Sequence, residues 1–368
     1  MEQLSNFTTL KVGGPARKIV HAHTEDELIE FVRAADKAGE QVLILGAGSN
    51  LLISDAGFAG TVIRVESKGS ALDYDACSGG MIEVSAGEDW DKFVALTIEK
   101  DFADLESLSG IPGTIGGAPI QNIGAYGHEV SETISRVKAF DRKKSEVVSF
   151  ANEQCKFSYR NSIFKEESGR YVVLSVTFQL RKGEESLPIA YAELAKYLSV
   201  NIGDRVNVKA VRNAVLDLRG RKGMLLDSKE NQIHSAGSFF INPILSKEAA
   251  DKLPIDAPRW PQADGKVKTS AAWLMEHSGI TKGEKLAGAQ ISSKHVLALS
   301  NSGSATADDI IELAKMARAK VNEKFNLDHK DIDIYVIESN MSKIMTLEKT
   351  MNNFVQIFSN SGGDDLNE

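Results

Sequence analysis

The sequence predicts a multidomain protein in which α-helices and β-strands are mixed. The chain has 368 residues, and a single domain usually has about 100–200, so two or three domains are expected. Apolar residues at helical spacing alternate with short apolar runs rich in valine and isoleucine, which is typical of helices interleaved with strands. Hydrophobic residues make up 42% and charged residues 26%, an ordinary composition for a globular protein.

Three segments, 16–65, 70–225 and 226–325, each combine strand and helix patterns. The predicted strands are Arg17–Ala22, Gln41–Leu45, Ile82–Ala86, Val137–Phe140, Val147–Phe150, Tyr171–Phe178, Val296–Leu299 and Ile332–Ile337. The first predicted helix is capped by Thr24, has Glu27 in a capping box and ends near Gly39. The other predicted helices are 90–98, 207–218, 270–277 and 307–325. Beyond them, 341–357 has a short helical pattern, and the polar residues 359–368 indicate disorder.

Composition excludes several classes of function. The net charge of −8 argues against a general nucleic-acid binder, which usually has a basic surface. Two cysteines without paired spacing are typical of a reducing cytoplasm and offer no thiolate metal site. The first residues lack the pattern of a signal peptide, and no apolar run reaches the roughly 18 residues of a membrane span. A cytoplasmic protein without a membrane partner is expected.

The segment Gly110–Gly127 is the most unusual part of the sequence. Six of its 18 residues are glycine and two are proline, and four isoleucines lie between them. Glycine permits positive φ angles and lets backbone N–H groups approach a ligand closely. Isoleucines are not needed in a solvated linker, so a buried, bent loop around a flat or phosphorylated ligand is predicted. A glycine-rich turn that only packs in the core is the alternative.

Three other segments are weaker candidates when each is taken alone. Gly46–Asn50 follows a predicted strand and could present N–H groups to a diphosphate, or be an ordinary turn. Tyr159–Lys165 contains an arginine and a lysine that could bind a carboxylate or a phosphate. The alternative is that both are solvated surface charges. Ser238 lies between a glycine and two phenylalanines. Its role could be that of a proton donor, a nucleophile or a structural serine. His21 and His23 alone make a poor metal signal, so metal-independent chemistry is predicted.

Taken together and in order, these segments resemble the UDP-N-acetylenolpyruvoylglucosamine reductase family. The resemblance also includes the opening segment Asn6–Ala16, and Cys155–Lys165 and Ala236–Pro243 complete the set. It spans residues 5–338. It implies an α+β fold: a three-domain flavoprotein with vanillyl-alcohol-oxidase-like (PCMH-type) FAD-binding domains and a substrate-binding α+β domain.

The resemblance also implies domain boundaries. They are 1–68 for the first FAD-binding subdomain, which the returning segment 325–340 joins, 69–225 for the second, 226–324 for the substrate-binding domain and 341–368 for a flexible tail.

The implied reaction uses FAD and NADPH to reduce the enolpyruvyl group of a UDP-sugar in peptidoglycan synthesis. Arg160 matches the family's catalytic arginine and Ser238 its proton donor. The residues implied in substrate binding are Tyr159, Tyr191, Lys222, Asn242 and His295. The residues implied in FAD binding are Gly46, Ala47, Gly48, Ser49, Asn50, Leu51, Gly113, Thr114, Gly117, Ala118, Gln121, Asn122, Gly124, Ala125 and Tyr126.

One departure from the family pattern concerns the catalytic acid. The family has a glutamate just before its final strand, whereas this chain has no glutamate there. Asp333 matches best when the apolar runs are superposed, and Asp331 is the alternative. Aspartate is one methylene shorter, and small displacements at a reacting centre lower rates. Activity is expected to survive. The protein is expected to be a monomer that binds neither a metal ion nor nucleic acid. Another FAD-dependent oxidoreductase, or an impaired homologue that binds FAD or a UDP-sugar, is the alternative.

Overall fold

The computed structural model describes residues 1–75, 79–226, 234–327, 335–337 and 345–346. The chain separates into two compact units. Unit 1 comprises Met1–Glu2, Pro15–Ser49 and Phe58–Gln232, and unit 2 comprises Gln3–Gly14, Asn50–Gly57 and Ile233–Glu368. The predicted division into three domains with a tail has other boundaries, and it stays a prediction.

The described strands are short in unit 2 and longer in unit 1. In chain order they are β1 (Ala16–Ala22), β2 (Val42–Leu45), β3 (Leu51–Ile53), β4 (Phe58–Val65), β5 (Ser70–Asp75), β6 (Gly79–Ser85), β7 (Gly124–Ala125), β8 (His128–Glu129), β9 (Ile134–Asp141), β10 (Glu146–Ala151), β11 (Tyr171–Leu180), β12 (His234–Ser235), β13 (Ile244–Leu245), β14 (Arg259–Pro261), β15 (Val267–Thr269), β16 (Lys285–Leu286), β17 (Ala289–Ile291), β18 (Leu299–Asn301), β19 (Tyr335–Ile337) and β20 (Met345–Thr346).

The helices connect these strands. They are α1 (Glu25–Lys37), α2 (Trp90–Glu99), α3 (Ile163–Glu166), α4 (Ala192–Leu198), α5 (Val208–Arg221), α6 (Lys247–Asp251), α7 (Ala271–His277) and α8 (Ala307–Phe325). Short 3₁₀ turns lie at Leu4–Phe7, Glu106–Leu108, Ile115–Gly117, Val130–Glu132 and Asn152–Cys155.

Unit 1 begins with a parallel sheet in the order β1-β4-β2, with α1 as the crossover from β1. The hydroxyl of Thr24 caps α1 by accepting a hydrogen bond from the Glu27 N–H at 3.1 Å. The Glu27 carboxylate accepts from the N–H of His23 at 2.7 Å, one residue before the position that the predicted capping box requires.

A five-stranded antiparallel sheet in the order β10-β9-β11-β6-β5 forms the centre of unit 1. Eight of the ten residues of its middle strand, β11, are buried. Trp90 on α2 packs against Phe178 of this strand at 6.0 Å between ring centroids. The Trp90 indole N–H donates to the carbonyl of Leu108 at 2.9 Å. This core supports the glycine-rich segment, which starts two residues later.

Unit 2 contains the sheet β12-β18-β17-β16, the sheet β13-β15-β14 and the sheet β20-β19-β3. Its longest helix, α8, has a capping box between Thr306 and Asp309. The returning strand β19 pairs in parallel with β3, which belongs to the predicted first segment of the chain. Leu10, Val12 and Leu52 complete the apolar core beneath α7 and α8.

The structure differs from the predicted elements in two places. The predicted strand Val296–Leu299 begins only at Leu299, because the N–H of Ala298 donates to the carbonyl of His295 in a turn. Within the predicted short helix 341–357, Met345 and Thr346 form the strand β20 instead. Residues 332–334 of the last predicted strand lie outside the described residues.

Candidate functional site

The two glycine-rich loops meet inside unit 1. The hydroxyl of Ser49, in the first loop, donates to the carbonyl of Pro112, in the second, at 2.9 Å. A Cβ atom at Gly46 would lie 2.6 Å from the Oγ1 of Thr114, so only glycine allows this approach. Residues more than 60 positions apart therefore form one paired backbone surface. The first loop continues beyond exposed Ala47 and buried Gly48 to Asn50 and Leu51, where β3 begins in unit 2.

Packing against protein explains four of the glycines in the second loop. A Cβ atom would lie 2.6 Å from Leu225 at Gly110, 2.7 Å from Ala86 at Gly116, 2.8 Å from the carbonyl of His128 at Gly124 and 2.6 Å from Ala190 at Gly127. The alternative of core packing, weighed for this segment from its sequence, is therefore correct at these four positions. Their glycines are set by close backbone approach to other parts of unit 1.

Gly113 and Gly117 differ from these four glycines. A Cβ atom would meet only the Oγ of Ser49 at 3.3 Å from Gly113, and only the Oγ1 of Thr114 at 3.8 Å from Gly117. Gly113 also has a φ of +147°, which favours glycine. Open main chain beside a second glycine loop is what the diphosphate of a dinucleotide needs for close approach. The residues present thus fit an FAD cofactor.

The next part of the second loop is held by side-chain hydrogen bonds. Buried Asn122 donates to the carboxylate of Glu129 at 2.6 Å and to the carbonyl of Ser158 at 3.1 Å. Its amide oxygen accepts from the N–H of Ser131 at 3.0 Å. The Asn122 carboxamide is thereby engaged in holding the loop. Buried Ala118 and half-buried Gln121 and Ala125 lie on either side of it.

Arg160 lies against the second loop. Its guanidinium donates to the carbonyl of Gly124 at 2.7 Å and to that of Asn122 at 3.4 Å. It also lies over the ring of Tyr159 at 5.3 Å from the centroid. The φ of Arg160 is +53°, and the Lys165 ammonium donates to its carbonyl at 2.9 Å. A fixed positive charge is therefore placed beside the predicted flavin loop.

Three predicted ligand-binding residues of unit 1 come together at Tyr126. The Tyr126 ring is buried, and Tyr191 meets it edge to face at 5.7 Å. Burial raises the pKa of Tyr126 to about 12, so its hydroxyl stays protonated. The Lys222 ammonium lies 5.9 Å from the Tyr126 centroid and pairs with Glu193. Tyr191 itself is 45% exposed.

Arg219 is a site residue that the sequence interpretation missed. It is 9% exposed and donates to the carbonyl of Gly110 at 3.1 Å, at the start of the second loop. The N–H of Gly110 donates to Asp91 at 2.6 Å, and Arg212 pairs with the same carboxylate. Burial lowers the pKa of Arg219. The seven-residue spacing of Arg212 and Arg219, two turns of helix α5, is the sequence signal for their shared face.

In unit 2, Ser238 lies beside a histidine. Its hydroxyl oxygen is 3.4 Å from the Nε2 of His295, 57 residues further along the chain. Phe239 and Phe240 are buried next to it, and the N–H of Phe239 donates to the carbonyl of Leu297 at 2.7 Å. Strand-like pairing of these two segments thus brings the serine and the histidine together. No local sequence pattern marked this pair.

Asn242 has a structural partner. Its amide oxygen accepts from the N–H of Ala271 at 3.0 Å, at the first residue of helix α7. The two predicted acids, Asp331 and Asp333, lie outside the described residues. Within the part of the chain that the structure describes, no group of His, Cys, Asp and Glu side chains has a metal-binding arrangement. No helix in that part is long and apolar enough to cross a membrane.

Comparisons with known proteins agree with this arrangement. A family model described as an FAD binding domain matches residues 16–151. A second model, the C-terminal domain of UDP-N-acetylenolpyruvoylglucosamine reductase, matches residues 228–331. The UDP-N-acetylenolpyruvoylglucosamine reductase of Cutibacterium acnes is 49% identical over 327 residues, which cover 88% of this chain and 86% of that protein. The chain belongs to the UDP-N-acetylenolpyruvoylglucosamine reductase family.

Other members of the family support the same assignment. The reductase of Streptomyces avermitilis is 47% identical over 335 residues, covering 88% of this chain and 91% of its own. The crystal structure of the reductase from Thermus caldophilus superposes with a TM-score of 0.61 at 25% identity, covering 91% of this chain and 97% of that one. These similarities confirm the predicted family and the predicted α+β flavoprotein fold class.

Proposed function

We infer that this protein is an FAD-containing oxidoreductase that uses NADPH to reduce UDP-N-acetylglucosamine enolpyruvate to UDP-N-acetylmuramate, for peptidoglycan precursor synthesis. Membership of the family carries this inference, since relatives with this name match 88% of the chain at 47–49% identity. The paired glycine loops with open main chain at Gly113 and Gly117 support the use of a dinucleotide cofactor.

The chemistry needs a hydride carrier and two charged or proton-donating groups. When bound, FAD supplies the carrier, which takes hydride from NADPH and passes it to the vinyl carbon of the substrate. The added hydride leaves negative charge on the carbon next to the carboxylate, as an enolate. The protein must stabilise this charge and then deliver a proton to that carbon.

Arg160 is the proposed stabiliser of the enolate. Its guanidinium is delocalised and presents a planar fork of N–H donors. Its bonds to the carbonyls of Gly124 and Asn122 fix its orientation before substrate arrives. A preoriented cation is worth more than a solvated one, because no reorganisation is needed during the reaction.

Ser238 is the proposed proton donor. A hydroxyl of ordinary pKa is a weak acid, so a neighbouring group must donate a hydrogen bond to its oxygen, which stabilises the alkoxide left after proton transfer, and then return a proton to it. His295 Nε2, at 3.4 Å, is in position for this task in unit 2. We therefore propose that His295 prepares the serine. Its predicted role in substrate binding stays a second possibility for the same ring.

The remaining assignments follow from the resemblance and stay proposals. Asp333 or Asp331 replaces the family's glutamate. Tyr159, Tyr191, Lys222 and Asn242 bind the UDP-sugar, and the fifteen residues of the two glycine loops given above bind FAD. A cytoplasmic location agrees with the absence of paired cysteine spacing, and size-exclusion chromatography with light scattering would test the proposed monomer.

Anaerobic half-reactions test the proposed function. We expect NADPH to bleach the flavin absorbance of the purified protein and UDP-N-acetylglucosamine enolpyruvate to restore it. Reduction without reoxidation by this substrate would contradict the reductase assignment and leave another flavin oxidoreductase. A protein that neither contains nor takes up FAD would contradict both. Comparing Asp331→Asn with Asp333→Asn then identifies the acid, and unchanged turnover in both would show that neither fills the role.

A further inference from the structure

The segment Leu187–Tyr191, here called the tyrosine strap, is held by hydrogen bonds from several parts of unit 1. The N–H of Leu187 donates to the Glu106 carboxylate at 2.7 Å. The carbonyl of Pro188 accepts from the His128 ring at 2.9 Å. Behind the strap, the N–H of Ile189 donates to the carbonyl of Asp204 at 2.8 Å. The exposed Tyr191 ring at its end is thus carried on an anchored support.

The strap lies directly on the last turn of the glycine-rich segment. A Cβ atom at Gly127 would be 2.6 Å from the Cβ of Ala190 and 3.2 Å from its carbonyl oxygen. The φ of Gly127 is +90°, so glycine is required there both by the lack of space and by the backbone conformation. Tyr126, on the same turn, meets Tyr191 at 5.7 Å. The turn and the strap therefore present the two tyrosines as one surface.

His128 joins these two segments through both ring nitrogens. Its Nε2 faces the carbonyl of Pro188 at 2.9 Å, and its Nδ1 faces the carboxylate of Glu132 at 2.8 Å. Both partners are acceptors, so both contacts are satisfied only when the ring carries two protons. The His128 side chain is 11% exposed. Its position is set by the hairpin β7–β8 and the 3₁₀ turn at Val130–Glu132.

Glu106 is the second anchor and is fully buried. Its carboxylate accepts from the N–H groups of Leu187 and Asp104, each at 2.7 Å. A buried carboxyl needs such donors, because it has lost its water. Nothing in the proposed chemistry uses this group. Its contacts instead tie the strap to the turn that enters the glycine-rich segment.

We propose that His128 and Glu106 are positioning residues for the sugar nucleotide: they hold the tyrosine strap on the Tyr126–His128 turn, so that Tyr191 and the Lys222–Glu193 pair form one binding surface beside Tyr126, which is assigned to FAD. This assignment rests on the proposed function, in which Tyr191 and Lys222 contact the UDP-sugar. Neither His128 nor Glu106 belongs to the residues implied by the family resemblance. Their effect is exerted through the strap.

Steady-state and half-reaction kinetics of His128→Ala test the proposal. Loss of one anchoring hydrogen bond is expected to raise the KM for UDP-N-acetylglucosamine enolpyruvate about tenfold. The rate of flavin reduction by NADPH is expected to change by less than about twofold, because the strap is not proposed to contact the flavin. His128→Gln, which can still donate to the Pro188 carbonyl, should recover most of the affinity. Glu106→Gln keeps an acceptor for Leu187 and should raise KM less than Glu106→Ala.

A double-mutant cycle separates positioning from general stability. In a Tyr191→Ala background, His128→Ala should have almost no further effect on KM, because the side chain that the strap presents is gone. His21→Gln is the matched control. His21 also pairs with a glutamate in unit 1, Glu66 at 3.1 Å, but on strand β1. We expect its KM to equal that of the unchanged protein.

The pH dependence gives an independent signature. Burial disfavours charge on His128, but the hydrogen bonds to Glu132 and Pro188, with the nearby Glu106 carboxylate, outweigh it and raise its pKa. Further charged groups lie near the two anchors. Asp104, which pairs with Arg181, lies beside Glu106, and Arg205 donates to the carbonyl of Ser186, next to the strap. As pH rises through the His128 pKa, the ring loses one of its two protons, and one of its two hydrogen bonds is lost. KM should then increase in the unchanged protein and stay flat in His128→Gln.

The outcomes are distinguishable from failure of the proposed function. If the enolpyruvyl sugar nucleotide does not reoxidise the flavin of the unchanged protein, the proposed function fails first. If it does, an unchanged KM in both His128→Ala and Glu106→Ala would overturn the positioning assignment. An equal KM increase with and without Tyr191 would overturn it too. Flavin content and thermal midpoints confirm folding. If His128→Ala does not fold, the pH profile of KM in His128→Gln and the comparison of Glu106→Ala with Glu106→Gln carry the test.

Discussion

Arg160 holds the second glycine loop and is also the residue proposed to stabilise the enolate. Its guanidinium holds the carbonyls of Gly124 and Asn122, so the positive charge is part of the scaffold of the second glycine loop. The Arg160 backbone is left-handed, at φ +53°, and the guanidinium lies over the ring of Tyr159. A cation held this way keeps its direction when the negative charge of the proposed enolate develops.

At this scale, Ser238→Ala should separate the two half-reactions. We expect flavin reduction by NADPH to change by less than about twofold, whereas reoxidation by the enolpyruvyl substrate should slow by on the order of 10²–10⁴, the usual contribution of a general acid. Anaerobic stopped-flow absorbance measures both rates.

Ser278→Ala is the control for this change. The Ser278 hydroxyl donates to the carbonyls of Leu274 and Met275 at the end of α7, which is a structural arrangement in the same unit. We expect both of its half-reactions to resemble those of the unchanged protein. Equal slowing of the two half-reactions in Ser238→Ala would rule out the proton-donor role.

Helix α5 acts at the scale of an element by holding the entry of the glycine-rich segment. Asp91 accepts the N–H of Gly110, and Arg219 donates to its carbonyl, so both backbone groups of Gly110 are engaged. Arg212 pairs with Asp91 at 2.7 and 2.9 Å, and its side chain is 16% exposed. Burial opposes ionisation of Asp91, but the hydrogen bonds from Arg212 and Gly110 keep its pKa below the usual value.

Arg212→Ala should therefore weaken FAD binding. Asp91 would keep a half-buried charge without its bidentate partner, at a cost of about 1–3 kcal/mol. Because Asp91 orients Gly110, part of this cost should appear as a higher Kd for FAD in fluorescence titrations of the flavin-free protein. Arg221→Ala is the matched control, since its i,i+4 pair with Asp217 on the same helix is exposed. Equal FAD affinities in the two variants would contradict the proposed link.

A second prediction at the element scale concerns acid stability. Asp141, at the end of β9, accepts hydrogen bonds from Arg170, which precedes β11, with a shortest N–O distance of 2.7 Å. These hydrogen bonds outweigh the effect of burial and lower the pKa of Asp141. Hydrogen bonds from the N–H groups of Lys143 and Lys144 lower it as well. Stability from this carboxylate is present above the unfolded pKa, about 3.9. It is lost as pH falls through the folded pKa.

Asp141→Asn should flatten this part of the stability curve. Urea unfolding between about pH 3 and pH 6 should show a smaller loss of stability on acidification than in the unchanged protein. Glu146→Gln is the control on the same β9–β10 hairpin, because its pair with Lys144 is more than half exposed on both sides. Parallel pH curves for Asp141→Asn and the unchanged protein would contradict the prediction.

At the scale of the whole molecule, the proposed chemistry is divided between two compact units. The second glycine loop, the first loop as far as Ser49, and Arg160, Tyr191 and Lys222 lie in unit 1, whereas Ser238, Asn242 and His295 lie in unit 2. The FAD-binding family model covers residues 16–151, and the C-terminal model covers 228–331. Cofactor binding and proton delivery are thus assigned to different folded bodies.

Removing FAD should lower the stability of the protein. A ligand present at 100 times its Kd stabilises the folded state by about 2.7 kcal/mol, which corresponds to a rise in midpoint of about 3–4 °C for a chain of this size. Thermal unfolding of the flavin-free protein, with and without added FAD, measures this shift. FMN, which lacks the adenylate half, is the control. Equal stabilisation by FMN and FAD would contradict binding of a dinucleotide by the paired loops.

The sequence by itself determined the elements and motifs that depend on near neighbours. Helix α8 has the predicted bounds Ala307–Phe325, and Thr24 caps α1 as predicted, because capping and apolar periodicity involve residues within a few positions. The ordered set of glycine and catalytic segments was sufficient to predict the family, its FAD and its substrate. The division of the chain into three domains and a tail stays a prediction.

Only the tertiary structure decided which of these residues touch. Ser238 meets His295 from 57 residues away, and the tyrosine strap meets His128 from 60 residues away. The glycines at 110, 116, 124 and 127 face other protein segments, whereas Gly113 and Gly117 border open space. Contacts of this kind depend on how sheets and loops pack, and a linear pattern of residue types does not encode which distant backbone will lie within 3 Å. The same glycine-rich sequence therefore combines two physical roles, packing and cofactor approach, that only the fold separates.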